Sequence, residues 1–370
     1  MLSVVAASRN DGHGLHLLPR TQVFIDGLAD QTERLGREVE LILVDWNPPD
    51  DSPPLSEVLT RPALDGFTVR MITVPPEVHA RLASSEQLKF FQMIAKNVGI
   101  KRASGDAVLA TNIDILLSDE LFLDSTGDLR DRCLYRADRA DVPFDPDLTV
   151  DPQLLRRAAP VRVNRKTGIF YPNRGRTYPH VRGASDLARV FFQDPVAFVR
   201  RATRWSARSG PPSIERYRRA FIEILVLPRL HLNACGDFTL MTRDSWEEVR
   251  GYPEWEMFSW NLDSLLLYQA AGAGFEFVEF ADHPALHLEH SAGWSPESHA
   301  DLFARLEREA IPFLSDAGLL DVAYTIWKAR QDGRWRTNLP TWGMAQHELP
   351  EVRLRESNGR RHRRLLAEPL

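Results

Sequence analysis

The sequence predicts an α/β fold: a mixed, mainly parallel sheet flanked by helices, with a helical insertion and a helical C-terminal extension. Three observations carry this. Short apolar runs alternate with amphipathic ones from Leu2 to Thr111. Each apolar run stops at a polar cluster or at prolines. A second strand and helix series returns from Gly236 to Phe280. Alternation of this kind builds a parallel sheet with helices on both faces.

The elements follow in order. Leu2–Ala7 is an apolar run closed by Ser8-Arg-Asn-Asp-Gly12 and reads as a buried strand. Residues 17–35 carry Val23, Phe24, Leu28 and Leu35 at helical spacing. Val39–Val44 is a second strand, ended by Asp45-Trp-Asn-Pro-Pro49, and Phe67–Val74 is a third, also ended by two prolines. Glu86–Ala103 reads as an amphipathic helix with Leu88, Phe91, Ile94 and Val98 inward, and Ala107–Thr111 as a fourth strand. From 137 to 152 Asp and Pro suggest a loop, and 160–183 reads as irregular. Residues 188–229 are mainly helical in pattern. Gly236–Arg243 and Phe275–Phe280 read as strands, Asp244–Val249 and Leu262–Ala271 as helices, with further helices over 299–313 and 319–330. The expected division is a ligand-binding half over 1–122, a second half over 123–298 with an insertion at about 137–230, and C-terminal helices with a basic tail over 299–370.

Composition narrows the class. A formal net charge of −5 gives no reason to expect nucleic-acid binding. Cys133 and Cys235 are too far apart for a C-x-x-C pair, so neither a disulfide framework nor a zinc knuckle is expected, and a reducing cytoplasm fits. The N-terminus lacks the pattern of a signal peptide. The best candidate membrane span, 221–232, is interrupted by Glu223, Pro228 and Arg229 and is far short of roughly 20 apolar residues. A location in the cytoplasm, or against the inner face of a membrane, is therefore expected. The arginines between Arg200 and Arg219, near Phe198 and Trp205, read first as a solvated helical face and second as a contact for acidic lipid. The tail arginines read the same way.

In a parallel sheet, ligands bind beyond the carboxyl ends of the strands. The clusters there are Ser8-Arg-Asn10-Asp11, Asp45-Trp-Asn47 and Thr111-Asn112-Ile-Asp114. Asn112 and Asp114 stand two apart, so both can face one side, and their oxygens suit Mg²⁺ or Mn²⁺. The competing reading is that they cap a helix over 115–122. His283, His287 and His290 cluster beside Glu289, just after a predicted strand. Gly12-x-Gly14 is an incomplete dinucleotide fingerprint because Leu17 stands where the third glycine belongs.

The order of these clusters resembles the GT-A glycosyltransferases, especially the family 2-like group. The resemblance rests on a strand ending in Asp45, Ala95-Lys-Asn97-x-Gly99, Ala103-Ser-Gly-Asp106 and Thr111-Asn-Ile-Asp114. It resumes at 233–243 and at the Gly-Gly-Phe-like turn Arg250-Gly-Tyr252. It implies a nucleotide-diphosphate sugar donor (UDP-, GDP- or dTDP-linked), a hydroxyl-bearing acceptor and a divalent metal, Mn²⁺ or Mg²⁺. Ser8, Asn10, Asp45, Asn97, Asn112 and Asp114 become donor-site candidates. Asp114 and Asn112 match the D-x-D metal motif, with Asn112 in place of its first Asp. His287 and His290 are candidates for a further metal ligand. Asp263 is the expected general base, in a segment where the family usually has a Glu-Asp pair and this chain has Leu262-Asp263; Asp237 is its rival. Inversion at the anomeric carbon is the expected stereochemistry. Three other readings stay open: a sugar nucleotidyltransferase, a non-catalytic sugar-nucleotide binder and, least favoured by Leu17, a nicotinamide-dependent oxidoreductase. Asp114→Ala is expected to abolish metal-supported binding and leave the fold intact.

Overall fold

The computed structural model describes residues 1–12, 15–180, 184–193, 195, 213–290, 296–333 and 335–357. Twelve strands are named here in chain order: β1 Leu2–Ser8, β2 Val39–Trp46, β3 Phe67–Val74, β4 Ala107–Ala110, β5 Ile115–Leu117 and β6 Cys133–Pro143. They continue as β7 Arg162–Arg165, β8 Gly168–Tyr171, β9 Arg176–Pro179, β10 Thr239–Thr242, β11 Glu276–Glu289 and β12 Glu351–Arg353. All join one sheet in the order β12-β3-β2-β1-β4-β10-β6-β7-β8-β9, with β11 pairing β5 and β6. The quartet β3-β2-β1-β4 is parallel throughout, and antiparallel β10 docks on its β4 edge.

The quartet's position follows from its residues. Every residue of β1, β2 and β4 is buried, as expected for strands covered on both faces. One apolar layer packs Val5, Val44, Ile72 and Val98 together. The other packs Val4, Leu41, Phe24 and Leu28 from the helix Leu17–Leu35. The helix Gln92–Lys101 lies directly on β1, and Gly99 permits this: a Cβ there would stand 2.5 Å from Val5. The strand ends carrying Ser8 and Asp45 are thus held side by side, as register partners.

Four local readings need correction. The helix expected over 86–103 begins only at Gln92, because Phe91 is taken out of helical geometry to pack its ring against Trp46 and His79. The first part of the expected loop after 137 is instead the second half of β6, whose acidic Asp141 is ion-paired with Arg139 and Arg162. The irregular stretch 160–183 holds the antiparallel β7-β8-β9. The strand expected over 275–280 runs on to Glu289, since the Ala-Asp-His-Pro segment is absorbed by a register shift between Phe280 and Ala285. The helices expected at 262–271 and 319–330 appear as Leu262–Gly272 and Asp316–Ala329. Gly14, Phe198, Arg200, Arg201, Arg204, Trp205, Arg208 and the tail from 358 lie outside the described residues. Among the described residues no helix is long and apolar enough to cross a membrane.

Candidate active site

Extending β11 through the histidines has a chemical consequence. His287 pairs in register with Ile115 of β5 and with Asp141 of β6, and the Leu288 N–H donates to the Asp114 carbonyl. The backbone therefore pins the end of β11 to the turn after β4. Nε2 of His287 lies 3.7 Å, and Nε2 of His290 3.5 Å, from Oδ2 of Asp114. Ligand atoms from these three residues lie within 4.8 Å of one another, close enough to share one cation. Oδ1 of Asp114 is buried and accepts no hydrogen bond. Nδ1 of His287 sits 3.2 Å from Asp141, the outer carboxylate that commonly orients a metal-binding imidazole. One carboxylate and two imidazoles suit Mn²⁺ and related divalent ions better than Mg²⁺, which favours all-oxygen sets.

Burial alone would raise the Asp114 pKa, but His287, His290 and Arg20 outweigh it and hold the carboxyl well below its ordinary range. It is a carboxylate at any working pH. Arg20, from the helix Leu17–Leu35, donates to Oδ2 of Asp114 at 2.5 Å, with side-chain exposures of 3% and 9%. This pair weighs against the expectation that Asp114→Ala leaves the fold intact. Removing one member of a buried ion pair strands the other, at a cost of about 3–5 kcal/mol.

The helix-cap reading of Asn112 and Asp114 also fails. Residues 115–117 are a strand, and the following helix, Asp119–Ser125, is capped by Ser118. Asn112 faces the cleft, where it donates to Oδ1 of Asp237 and accepts from Gln92.

A cleft of about 800 Å³ opens over this group, and Asn112, Asp237, Asp263, His287 and His290 all line it. The two candidate bases differ sharply. Asp237 is committed on both oxygens, to Asn112 and to Arg139 at 2.6 Å. Asp263, in the first turn of its helix, accepts from the Ser264 N–H. Burial raises its pKa, against the opposing pull of Cys235, Ser264 and Lys96. Gly236 leaves it room, since a Cβ there would stand 2.9 Å from Oδ2 of Asp263 and displace the carboxylate. Beneath both carboxylates Lys96 is fully buried, donating to the Gly236 carbonyl at 2.7 Å. Burial lowers its pKa to about 8 against the attraction of Asp237 and Asp263.

The remaining candidates sit elsewhere. Ser8 and Asp45 end β1 and β2, both buried, with Oγ of Ser8 and Oδ1 of Asp45 unpartnered; Oδ2 of Asp45 accepts from the Leu55 N–H. Asn10 donates to the Pro53 carbonyl. Asn97 is buried in the core, where its amide donates to the Tyr252 carbonyl and accepts from the Tyr252 N–H. It braces the turn at 250–252 from beneath. Sequence reasoning missed Arg20, Lys96, Arg139, Asp141 and Arg162. Only Arg139-x-Asp141 carried a signal, a charge pair at strand spacing.

Asp45 supports a pH test. Burial pushes its pKa up to about 6 from 3.8, against the Leu55 hydrogen bond. The folded state therefore binds this proton more tightly than the unfolded chain, and stability falls as pH rises through that window. Asp45→Asn should stabilise the protein at pH 7 by up to about 3 kcal/mol, the equivalent of roughly two pKa units. The gain should vanish below about pH 4, and urea unfolding across pH measures it. A pH-independent difference would contradict the burial account.

The fold is a mixed α/β sheet: a parallel core, an antiparallel strand docked on its β4 edge, and helices on both faces. No protein-family model matches the sequence, and no curated protein sequence matches it. Similar solved structures are GT-A glycosyltransferases. S. aureus TarS 1–349 is 14% identical with a TM-score of 0.35, covering 91% of this chain and 73% of that one. GalNAc-T7, solved with UDP, GalNAc and Mn²⁺, is 10% identical at 0.40, covering 91% and 55%. The mannosyltransferase PcManGT from Pyrobaculum calidifontis, solved with GDP-Man and Mn²⁺, is 11% identical at 0.34, covering 93% and 77%. Likeness at this level carries nothing about family, activity or substrate.

Proposed function

We propose that this protein is a metal-assisted glycosyltransferase that moves a sugar from a nucleotide-diphosphate donor to a hydroxyl acceptor. The observation that carries the reading is the convergence, around one cleft, of the Asp114–His287–His290 group with a half-buried carboxylate, Asp263, that is held by its neighbours Ser264 and Cys235 and, among the described residues, by no arginine. In this reading Asp114, His287 and His290 would hold a divalent ion, which when bound would supply positive charge opposite the diphosphate. Asp263 accepts the proton of the acceptor hydroxyl as that oxygen bonds to the anomeric carbon. The bond from this carbon to the diphosphate oxygen breaks, and nucleoside diphosphate leaves with its electron pair. A single displacement of this kind inverts configuration. Asp237, pinned by Asn112 and Arg139, shapes the acceptor side rather than taking the proton. Ser8, Asn10 and Asp45, at the ends of β1 and β2, are where the nucleoside end of the donor would sit.

Binding to the folded state raises the melting temperature, so a thermal-shift screen of UDP-, GDP- and dTDP-sugars with and without Mn²⁺ tests the reading. One nucleotide class should give a shift that requires metal, followed by release of that nucleoside diphosphate on turnover. Stabilisation by a nucleoside triphosphate with pyrophosphate release would assign a nucleotidyltransferase instead. Metal-dependent binding without turnover on any acceptor would leave a sugar-nucleotide binder. Asn112→Asp restores the first carboxylate of the D-x-D pattern, two residues before Asp114, and should tighten Mn²⁺ binding several-fold, as read by calorimetry. Loss of binding there would mean that the Asn112 amide is needed as the donor to Asp237.

A further inference from the structure

Lys96 is a lysine without exposed surface, on a helix that aims it at the cleft. Gln92 and Lys96 stand one turn apart on the helix Gln92–Lys101 and so share a face. Gln92 lines the cleft and donates to Asn112. Lys96, one turn further along, is 0% exposed and donates to the Gly236 carbonyl at 2.7 Å. Lys101 of the same helix behaves as lysines usually do, reaching the surface to pair with Glu247.

A buried ammonium costs folding free energy unless its charge is answered nearby, and lysine is almost never fully buried without a partner. Burial lowers the Lys96 pKa to about 8, and the groups that resist this are Asp237, Asp263, Asp114 and the Cys235 thiol. Gly236 joins the lysine to one of them. Its carbonyl takes the Lys96 hydrogen bond, while its Cα lies so near Asp263 that an added Cβ would stand 2.9 Å from Oδ2. Gly236, Asp237 and Asp263 line the cleft, with Lys96 one layer behind them. Asp263 is also faced by the Cys235 thiol, Asp237 and the Tyr252 phenol. Other charges close by are committed elsewhere. Arg139 pairs with Asp237 and Asp141, Arg136 donates to the Cys235 and Asn233 carbonyls, and Asp316 accepts from Trp260 and Asn261. Among the described residues Lys96 is therefore the cation that answers Asp263.

We propose, resting on the transfer reading above, that Lys96 is a positioning residue: from behind the cleft wall its ammonium fixes the Gly236 peptide against Asp263 and keeps that carboxylate in its charged, proton-accepting form. Carboxyl ¹³C NMR of aspartate-labelled protein, with Asp263→Asn to assign the signal, reads the effect without donor or acceptor. Lys96→Gln removes the charge but keeps an N–H for the Gly236 carbonyl, whereas Lys96→Met removes both. In each variant the Asp263 carboxyl should titrate about one pH unit higher than in the native protein, the lower end of the shift that a nearby opposite charge produces. The acid limb of kcat should move up with it, so kcat falls about tenfold at pH values below the limb, the equivalent of one pKa unit. That difference should close as pH rises past the limb, with donor KM within a few-fold throughout. An unmoved Asp263 titration in both variants overturns the inference. A lower melting temperature with no change in that titration would likewise overturn it and make Lys96 a structural prop. The two readings fail differently: the transfer reading by absent turnover, and this one by an unmoved carboxyl.

Discussion

Asp263→Asn should lower kcat by about 10²–10⁴-fold while donor affinity stays within a few-fold of the native value. The amide keeps the size and polarity that the half-buried niche requires, and its oxygen can still accept from the Ser264 N–H. What it loses is the capacity to take a proton, which matters only as the acceptor oxygen attacks. Loss of kcat without loss of donor binding is the signature of that role. The pH profile gives a second readout. Burial raises the Asp263 pKa, so the acid limb of kcat should lie above the range of an exposed aspartate and disappear in the Asn variant. The charged groups that set this limb are Lys96 and Asp237, with the Cys235 thiol beside them. Turnover within a few-fold of native would hand the base role to Asp237 or point to retention of configuration. A joint fall of turnover, donor binding and melting temperature would make Asp263 a structural residue of its helix.

The sheet was legible because its evidence is local. Val4, Val44 and Leu109 lie in short apolar runs bounded by prolines and polar clusters, and that pattern has one structural solution. The site was half legible for a related reason. Asp45, Asn112 and Asp114 follow strands directly, so finding the strand finds the residue. His287 and His290 drew attention as a cluster, but their partner could not be read locally. Only the register of β11 against β5 and β6, with a shift of register across the proline, brings them to Asp114. Arg20 and Lys96 were invisible for another reason. A lone arginine or lysine on an amphipathic helix looks like a solvent-facing charge, since such side chains are almost never fully buried unless paired. Their burial is decided by carboxylates 94 residues away for Arg20 and by the Gly236 carbonyl 140 residues away for Lys96. Asn97 erred the other way. Its place in a recognised motif suggested a ligand contact, whereas its amide braces the turn at 250–252.

The Arg20–Asp114 pair permits metal binding and folding to be separated experimentally. Asp114→Ala should eliminate Mn²⁺ binding in calorimetry, because it removes the only carboxylate of the three-residue group. The same variant should lose about 3–5 kcal/mol of stability, because the Arg20 guanidinium is left buried and unpaired. On its own that result is ambiguous, since a destabilised protein also binds poorly. Adding Arg20→Leu removes the stranded charge and replaces it with apolar volume against the Leu17–Leu35 helix. The double variant should recover most of the lost stability and none of the Mn²⁺ affinity. His290→Ala offers a milder check, since Asp114 keeps its closer partner Arg20 when the imidazole is removed; affinity should fall by at least about tenfold with little change in melting temperature. Native-like Mn²⁺ binding in the double variant would dissolve the metal centre and leave Asp114 as an arginine anchor. Recovery of both stability and affinity would mean that Arg20, rather than loss of the carboxylate, was what kept the ion out.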